Sequence, residues 1–254
     1  MTDIPEDHPR YRSLVTREQL VKGVNDGIAG VQGLIAQGRG EAFDYLLGER
    51  TTSSAEGAER AAVALLLLAE HPVISVNGNA AALVPGELCE LAGILDAAIE
   101  VNLFHRTEER VGRIASLLKS RGCGTVYGDR PDRLIPGLSH DRAKASSQGI
   151  YIADVVLVPL EDGDRCEALV KMGKKVIAVD LNPLSRTAKA ANVTIVDNIV
   201  RAVPNMVRMA KEMKSTPAPD LENIVRGFDN GRALAGALEE IRDNLTKNEG
   251  QSKI

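Results

Sequence analysis

KKVIAVDLNPLSRTAKAANVTIVDN, residues 174–198, is read here as strand, turn, short helix, strand. Its two apolar runs, KKVIAVDL and VTIVD, are rich in Val and Ile and carry little internal polarity. Strands of that kind are buried on both faces, as in a parallel sheet covered by helices. The turn between them holds Asp180, Asn182, Pro183, Ser185 and Arg186. Pro and Asn alone suffice for a turn. The extra hydrogen-bonding groups at the C-terminal end of a buried strand point to a ligand.

The same alternation extends upstream. PVISVNGN, AIEVNLF, GTVYG and ADVVLVPL are further strand candidates. PGELCELAGILDA, TEERVGRIASLLKSRG, EDGDRCEALVKMG and SRTAKAANV are the helices between strands. The pattern predicts an α/β fold: a Rossmann-like, mostly parallel sheet flanked by helices over 72–214. Such sheets bind ligands at the loops that follow their strands.

Residues 1–71 are expected to form a helical N-terminal region packed on that core. REQLVKGVNDGIAGVQGLIAQG spaces Leu20, Val24, Ile28, Val31, Leu34 and Ile35 as one helical face. GRGEAFDYLLGE is expected as a second helix. SAEGAERAAVALLLLAEH is expected as a third, capped by Ser53 or Ser54. Residues 215–254 read as the linker STPAP, an amphipathic C-terminal helix and a frayed end from Thr246. That helix carries Leu221, Ile224, Val225, Phe228, Leu234, Leu238, Ile241 and Leu245; it either covers its own domain or joins two subunits. The three regions form one functional unit.

Composition narrows the function. The 254 residues carry a net charge of −4, with no Trp, four Tyr and three Phe. No segment is a basic block and few aromatics are present to stack on bases, so no nucleic-acid partner is expected. The longest apolar run, Ala61 to Ala69, is too short to cross a bilayer, so no membrane partner is expected. The polar, acidic N-terminus does not read as a signal peptide. Cys89, Cys123 and Cys166 form no C-x-x-C pair. All three read as small buried apolar residues, and a reducing cytoplasm fits. G-x-x-x-x-G-K-[ST] is missing, and so is a G-x-G-x-x-G after a strand, which disfavours a P-loop enzyme and a standard dehydrogenase.

Four strand-end loops carry the candidate chemistry. Asn77-Gly78-Asn79 opens a helix and offers backbone N–H groups to an anion; a plain Asx turn is the other reading. His105-Arg106 precedes a helix capped by Thr107, with Glu108 and Glu109 in its first turn. Those two cations suit a phosphate, or they are solvated charges at a helix start. Glu161-Asp162-Gly163-Asp164 offers carboxylates to Mg²⁺, directly or through water; helix capping by Asp162 or Asp164 is favoured for most of them. Asp180 suits ribose hydroxyls, Asn182 a base edge and Arg186 a phosphate. Asp197-Asn198 ends the neighbouring strand in the same chemistry.

The motifs HPRYRSLVTRE, GRGEAFDYLLGE, PVISVNGNAAAL, IEVNLFHRTEERV, GIYIADVVLVPLEDGDR and VIAVDLNPLSRTAKAANVTIVDN together resemble the archaeal-type phosphopantothenate synthetase family over almost the whole chain. The resemblance implies an ATP-dependent ligase that joins 4-phosphopantoate to β-alanine, giving 4′-phosphopantothenate, AMP and pyrophosphate for coenzyme A synthesis. It implies a homodimer with a Rossmann-like core. It carries ATP-site roles onto Arg17, Arg39, Asp180, Leu181, Asn182, Arg186, Thr187, Asn198 and Ile199. Adenylation shifts negative charge at the α-phosphate and calls for fixed cations and Mg²⁺, so Arg17 and Arg39 are read as the phosphate clamp. Strand-end geometry, apart from the resemblance, assigns the phosphorylated acid to Asn77, Gly78, Asn79, His105 and Arg106. His105 is the candidate base for the amine; His8, His71 and His140 read as structural or exposed. Two other readings compete: another Rossmann-like enzyme, such as a dehydrogenase or methyltransferase, and a nucleotide-sensing dimer that binds ATP without consuming it.

Overall fold

A computed structural model describes residues 4–8 and 10–249. Three helices come first, α1 (Tyr11–Asn25), α2 (Val31–Leu47) and α3 (Ser53–Leu67). The α/β core follows as β1 (Pro72–Val76), α4 (Gly78–Leu83), α5 (Pro85–Leu95), β2 (Ala98–Val101), α6 (Glu108–Ser120) and β3 (Val126–Tyr127). A short excursion contains β4 (Arg133–Leu134), a 3₁₀ turn (Asp141–Ala143) and β5 (Lys144–Ala145). The core resumes with β6 (Val155–Pro159), α7 (Gly163–Lys171), β7 (Lys175–Val179), α8 (Arg186–Ala190), β8 (Val193–Ile195) and α9 (Ile199–Met213). Helices α10 (Ala218–Gly227) and α11 (Asn230–Glu249) close the chain.

All six predicted strands lie in one parallel sheet, ordered β3-β2-β1-β6-β7-β8. The order reverses between β1 and β6, the position at which open α/β sheets form a ligand crevice. Alternate residues of each central strand serve opposite faces. Ile74, Val76, Leu157, Ile177 and Val179 join the larger core with α3, α5, α6 and α9. Val73, Val156, Val158, Val176 and Ala178 join a second core with Cys166 and Leu169 of α7. Apolar side chains on both faces are what made the strands unbroken Val/Ile runs.

The N-terminal region departs from its expected form. Residues 17–38 are not one helix: Gly27, at φ 70°, closes α1, and α2 starts at Val31. GRGEAFDYLLGE is the second half of α2. Leu20 and Ile28 are buried, whereas Val31 and Ile35 face outward. The cap of α3 is Thr52, whose hydroxyl accepts from the Ala55 N–H at 3.2 Å, rather than Ser53 or Ser54. The expected C-terminal helix is two helices that cover their own chain: α10 packs on α3, and α11 on α2 and α3. Leu221, Leu234 and Ala237 are buried, while Leu238 and Leu245 stay exposed. Helix α11 continues through Thr246 to Glu249; residues 250–254 lie outside the described residues.

The cysteine reading is corrected. Cys89 of α5 and Cys123, which follows α6, form a disulfide with Cα atoms 4.9 Å apart. The two helices pack together, and that proximity, invisible across 34 residues of sequence, permits the bond. Cys166 is free and buried, as expected.

One buried acid of α3 couples folding to pH. Glu59 is fully buried; one carboxyl oxygen accepts from Asn205 at 3.2 Å and the other has no partner. Burial, reinforced by Asp197 and Glu56, outweighs the Asn205 hydrogen bond and pushes the carboxyl from 4.5 up to about 8. A raised folded value means that the native state binds the proton more tightly than the unfolded chain does. The stabilisation is complete below about pH 4.5 and is lost as pH rises through about 8. Glu59→Gln is therefore expected to flatten the fall in stability across that range. Urea unfolding at several pH values checks it, and an unchanged slope would contradict the assignment.

Candidate active site

Helix α2 runs across the C-terminal ends of the strands. Gly33 supplies the carbonyl that accepts from Asn79, just after β1, at 2.9 Å. Gly40 lies over Leu181, just after β7. Asp44 accepts from Asn198, just after β8, at 2.8 Å. Positions 33, 40 and 44 share one helical face. At Gly33 a Cβ would stand 2.1 Å from the Asn79 side-chain Oδ1, so glycine lets the helix come this close.

A cavity of about 260 Å³ opens at the reversal point between β1 and β6. Asn77, Gly78, Asn79 and His105 line it, with Leu160 and Asp162 from the β6 end. Asn77 joins the two strand ends: its amide donates to the carbonyls of Pro159 and Leu160 at 2.8 and 3.0 Å. Its Oδ1 accepts from the Ala80 N–H at 3.0 Å and caps α4. Arg106 is a correction. Its side chain is 4% exposed, paired with Glu108, and does not line the cavity. The cavity's guanidiniums are Arg110 and Arg142.

In the acidic loop after β6, the favoured helix capping by Asp162 or Asp164 is not made. Each carboxylate has a side-chain partner: Glu161 has Arg165 and, at 3.5 Å, Arg142; Asp162 has Arg142 at 3.1 Å; and Asp164 has the His140 ring at 2.8 Å. Asp162 occupies the cap position of α7 without making a side-chain cap bond. Among the described residues no group of three acidic, His or Cys side chains is arranged to hold a metal ion. This loop is therefore an ion-pair network and does not fit Mg²⁺. Beneath it Arg165 and Glu161 are almost fully buried. Arg165 also donates to the Ser75 hydroxyl at 3.2 Å, and desolvation lowers its affinity for the proton, with Glu161 opposing.

A larger cavity, about 620 Å³, lies beside α2 and the N-terminal helices and is lined by Arg17 and Asn198 together with Glu41, Asp44 and Arg201. Arg17 grips Glu41 through Nε at 3.0 and 2.9 Å and through Nη2 at 2.7 Å. That hydrogen bonding holds its pKa above the ordinary arginine value against desolvation. Arg201 bonds both Asp44 and Asp197 at 2.5 Å.

The other expected nucleotide residues line neither cavity. Asp180 accepts from the Asn182 N–H at 2.9 Å and from the Ser185 hydroxyl at 2.5 Å. Burial raises its pKa, with those two bonds and Arg39 opposing. Arg39 is exposed on α2. Arg186 is exposed and paired with Glu167 at 2.9 Å. Thr187 is buried and donates to the Glu161 carbonyl at 2.8 Å. Leu181 and Ile199 are core residues, so only their backbone groups are available to a ligand.

Sequence reasoning missed Arg110, Arg142 and Arg201. Arg110 sits inside HRTEER, three residues after the Thr107 cap, where helical spacing could have turned it toward the β1 end. Arg142 lies in the 129–149 excursion, where no periodicity marks it.

The family model described as phosphopantothenate/pantothenate synthetase matches residues 54–244. A Methanosarcina mazei protein named 4-phosphopantoate–β-alanine ligase is 60% identical over 245 residues, which is 96% of each chain. Proteins of the same name from Thermococcus kodakarensis and Thermococcus onnurineus are 59% and 57% identical, each over 97% of this chain and 95% of its own.

Proposed function

This chain belongs to the phosphopantothenate/pantothenate synthetase family, and we propose that it condenses 4-phosphopantoate with β-alanine at the expense of ATP. It is a ligase that forms a C–N bond, and its product feeds coenzyme A synthesis. The observation that carries the reading is identity of 57–60% over nearly the full chain to three ligases of one name. The two guanidiniums at the reversal point of the sheet agree with an anionic substrate.

A free carboxylate resists attack by an amine. We assign the chain an acyl-adenylate route: the 4-phosphopantoate carboxylate attacks the α-phosphorus of ATP and expels pyrophosphate. The β-alanine amine then attacks the acyl carbonyl and expels AMP. His105, exposed at the cavity mouth, is the candidate to take the amine proton. Arg17 and Arg39 face the phosphates from the α1 and α2 side. Asp180 and Asn182 take ribose and adenine at the β7 end, with Asn198 below. ATP brings Mg²⁺ on its own phosphates; no described cluster of this chain holds the ion. The assembly is a homodimer in the cytoplasm.

Release of AMP and pyrophosphate tests the reading. Pyrophosphate is expected when ATP, 4-phosphopantoate and the protein are present, and AMP and the amide product appear once β-alanine is added. Tight ATP binding without AMP release would replace the ligase by a nucleotide sensor.

A further inference from the structure

Helix α2 is fastened to the strand ends at two points, each an asparagine amide. At the β1 end, Asn79 Nδ2 donates to the Gly33 carbonyl. At the β8 end, Asn198 Nδ2 donates to the Asp44 carboxylate at 2.8 Å. The second is the stronger, because its acceptor is charged. Asp44 is buried, and Arg201 grips the same carboxylate through Nη1 at 3.2 Å and Nη2 at 2.5 Å.

Arg201 is held from behind in its turn. Its Nε donates to Asp197 at 2.8 Å, and Asp197, also buried, accepts from the Thr51 hydroxyl at 2.6 Å. Burial works against the Arg201 charge, yet Asp44 and Asp197 hold its pKa above the ordinary arginine value. Asn198 is fixed from its other end as well: Oδ1 accepts from the Val200 N–H at 3.3 Å and caps α9. A carboxylate accepts hydrogen bonds and donates none, so Asp44 admits only the NH₂ end of that amide and decides which way it faces. Asp44, Asn198 and Arg201 all line the 620 Å³ cavity, and their bonds join two of its walls, α2 and the start of α9.

We infer that Asp44 is a positioning residue for the nucleotide, acting through Asn198: braced by Arg201, it sets the amide that meets ATP. The inference rests on the assignment of ATP to Asn198 above. Asp44 is no phosphate ligand itself, since a carboxylate repels phosphate, and the Arg201 guanidinium already joins two carboxylates. What the buried pair supplies is a fixed orientation for a neutral group beside it.

The test uses Asp44→Ala, Asp44→Asn, Asn198→Ala and the double alanine variant, all in the full chain. Arg201 keeps Asp197 in each of them, so no buried cation is left unpaired and the fold is expected to stand. Calorimetric titration with ATP alone reads the site independently of ligation. Asp44→Ala is expected to weaken ATP binding, and to raise KM for ATP, by about 10-fold. KM for 4-phosphopantoate should change less than about twofold, and adding Asp44→Ala to Asn198→Ala should weaken ATP binding by less than about twofold more. Asp44→Asn keeps an acceptor for the Asn198 amide and should recover part of the loss. An Asp44 that only holds the fold together would lower the melting temperature and leave ATP binding unchanged. That result, or full additivity of the two alanine losses, would overturn the inference. Weakened ATP binding in the Asp44 variants of a parent that forms neither AMP nor amide with all substrates present would defeat the ligase reading and leave the inference standing. A parent that binds no ATP would overturn both.

Discussion

Glu161→Ala is expected to lower the unfolding free energy by about 3–5 kcal/mol. Glu161 and Arg165 are 2% and 0% exposed and pair within one turn of the β6–α7 junction. Removing the carboxylate leaves a guanidinium buried against Ser75, with only Glu100 near enough to compensate. Glu100 is a poor substitute. It is fully buried, accepts from the Ser146 and Ile150 N–H groups at 2.8 and 2.6 Å, and burial pushes its carboxyl up to about 7. The double replacement Glu161→Leu with Arg165→Met removes both charges together. It should recover part of the loss, because both buried charges go together, while the Asp162 N–H and Arg142, at 2.8 and 3.5 Å from Glu161, each lose one acceptor. Chemical denaturation of the parent, single and double variants measures this. A single-variant loss below about 1 kcal/mol would mean that the pair is solvated and worth no more than a surface bridge.

That network also marks the boundary of what the sequence discloses. The six strands were legible because each is buried on both faces and so reads as an unbroken apolar run. Asn77, Thr107, Ser185 and Asn198 were legible as strand-end or cap positions because local turn chemistry places them. Pairings across long separations were not. Nothing local says that Arg106 turns onto Glu108 while Arg110, one helical turn on, enters the cavity. The carboxylates of 161–164 read as helix caps or metal donors because their partners, Arg142 and His140, come from a segment with no periodicity. The disulfide was hidden for the same reason: Cys89 and Cys123 meet only after α5 and α6 pack.

Arg17→Ala should slow adenylation by about 10²- to 10³-fold, the loss expected when one fixed donor to developing charge is removed. Arg17 is held by Glu41 of α2, with Arg10 at 3.6 Å from the same carboxylate. Glu41 thus occupies the guanidinium fork that a phosphate of ATP would take, and binding must exchange one anion for the other. This separates two roles for Arg17. If it only latches α1 to α2, Glu41→Gln breaks the same latch and should damage the enzyme as much as Arg17→Ala does. If it is the phosphate donor, Glu41→Gln removes a competitor and leaves the donor, so KM for ATP should hold or fall. ATP–pyrophosphate exchange in the presence of 4-phosphopantoate isolates the adenylation step and reads both variants. Equal slowing in the two would make Arg17 a latch. A slow Arg17→Ala beside a Glu41→Gln that matches or exceeds the parent would make it the clamp.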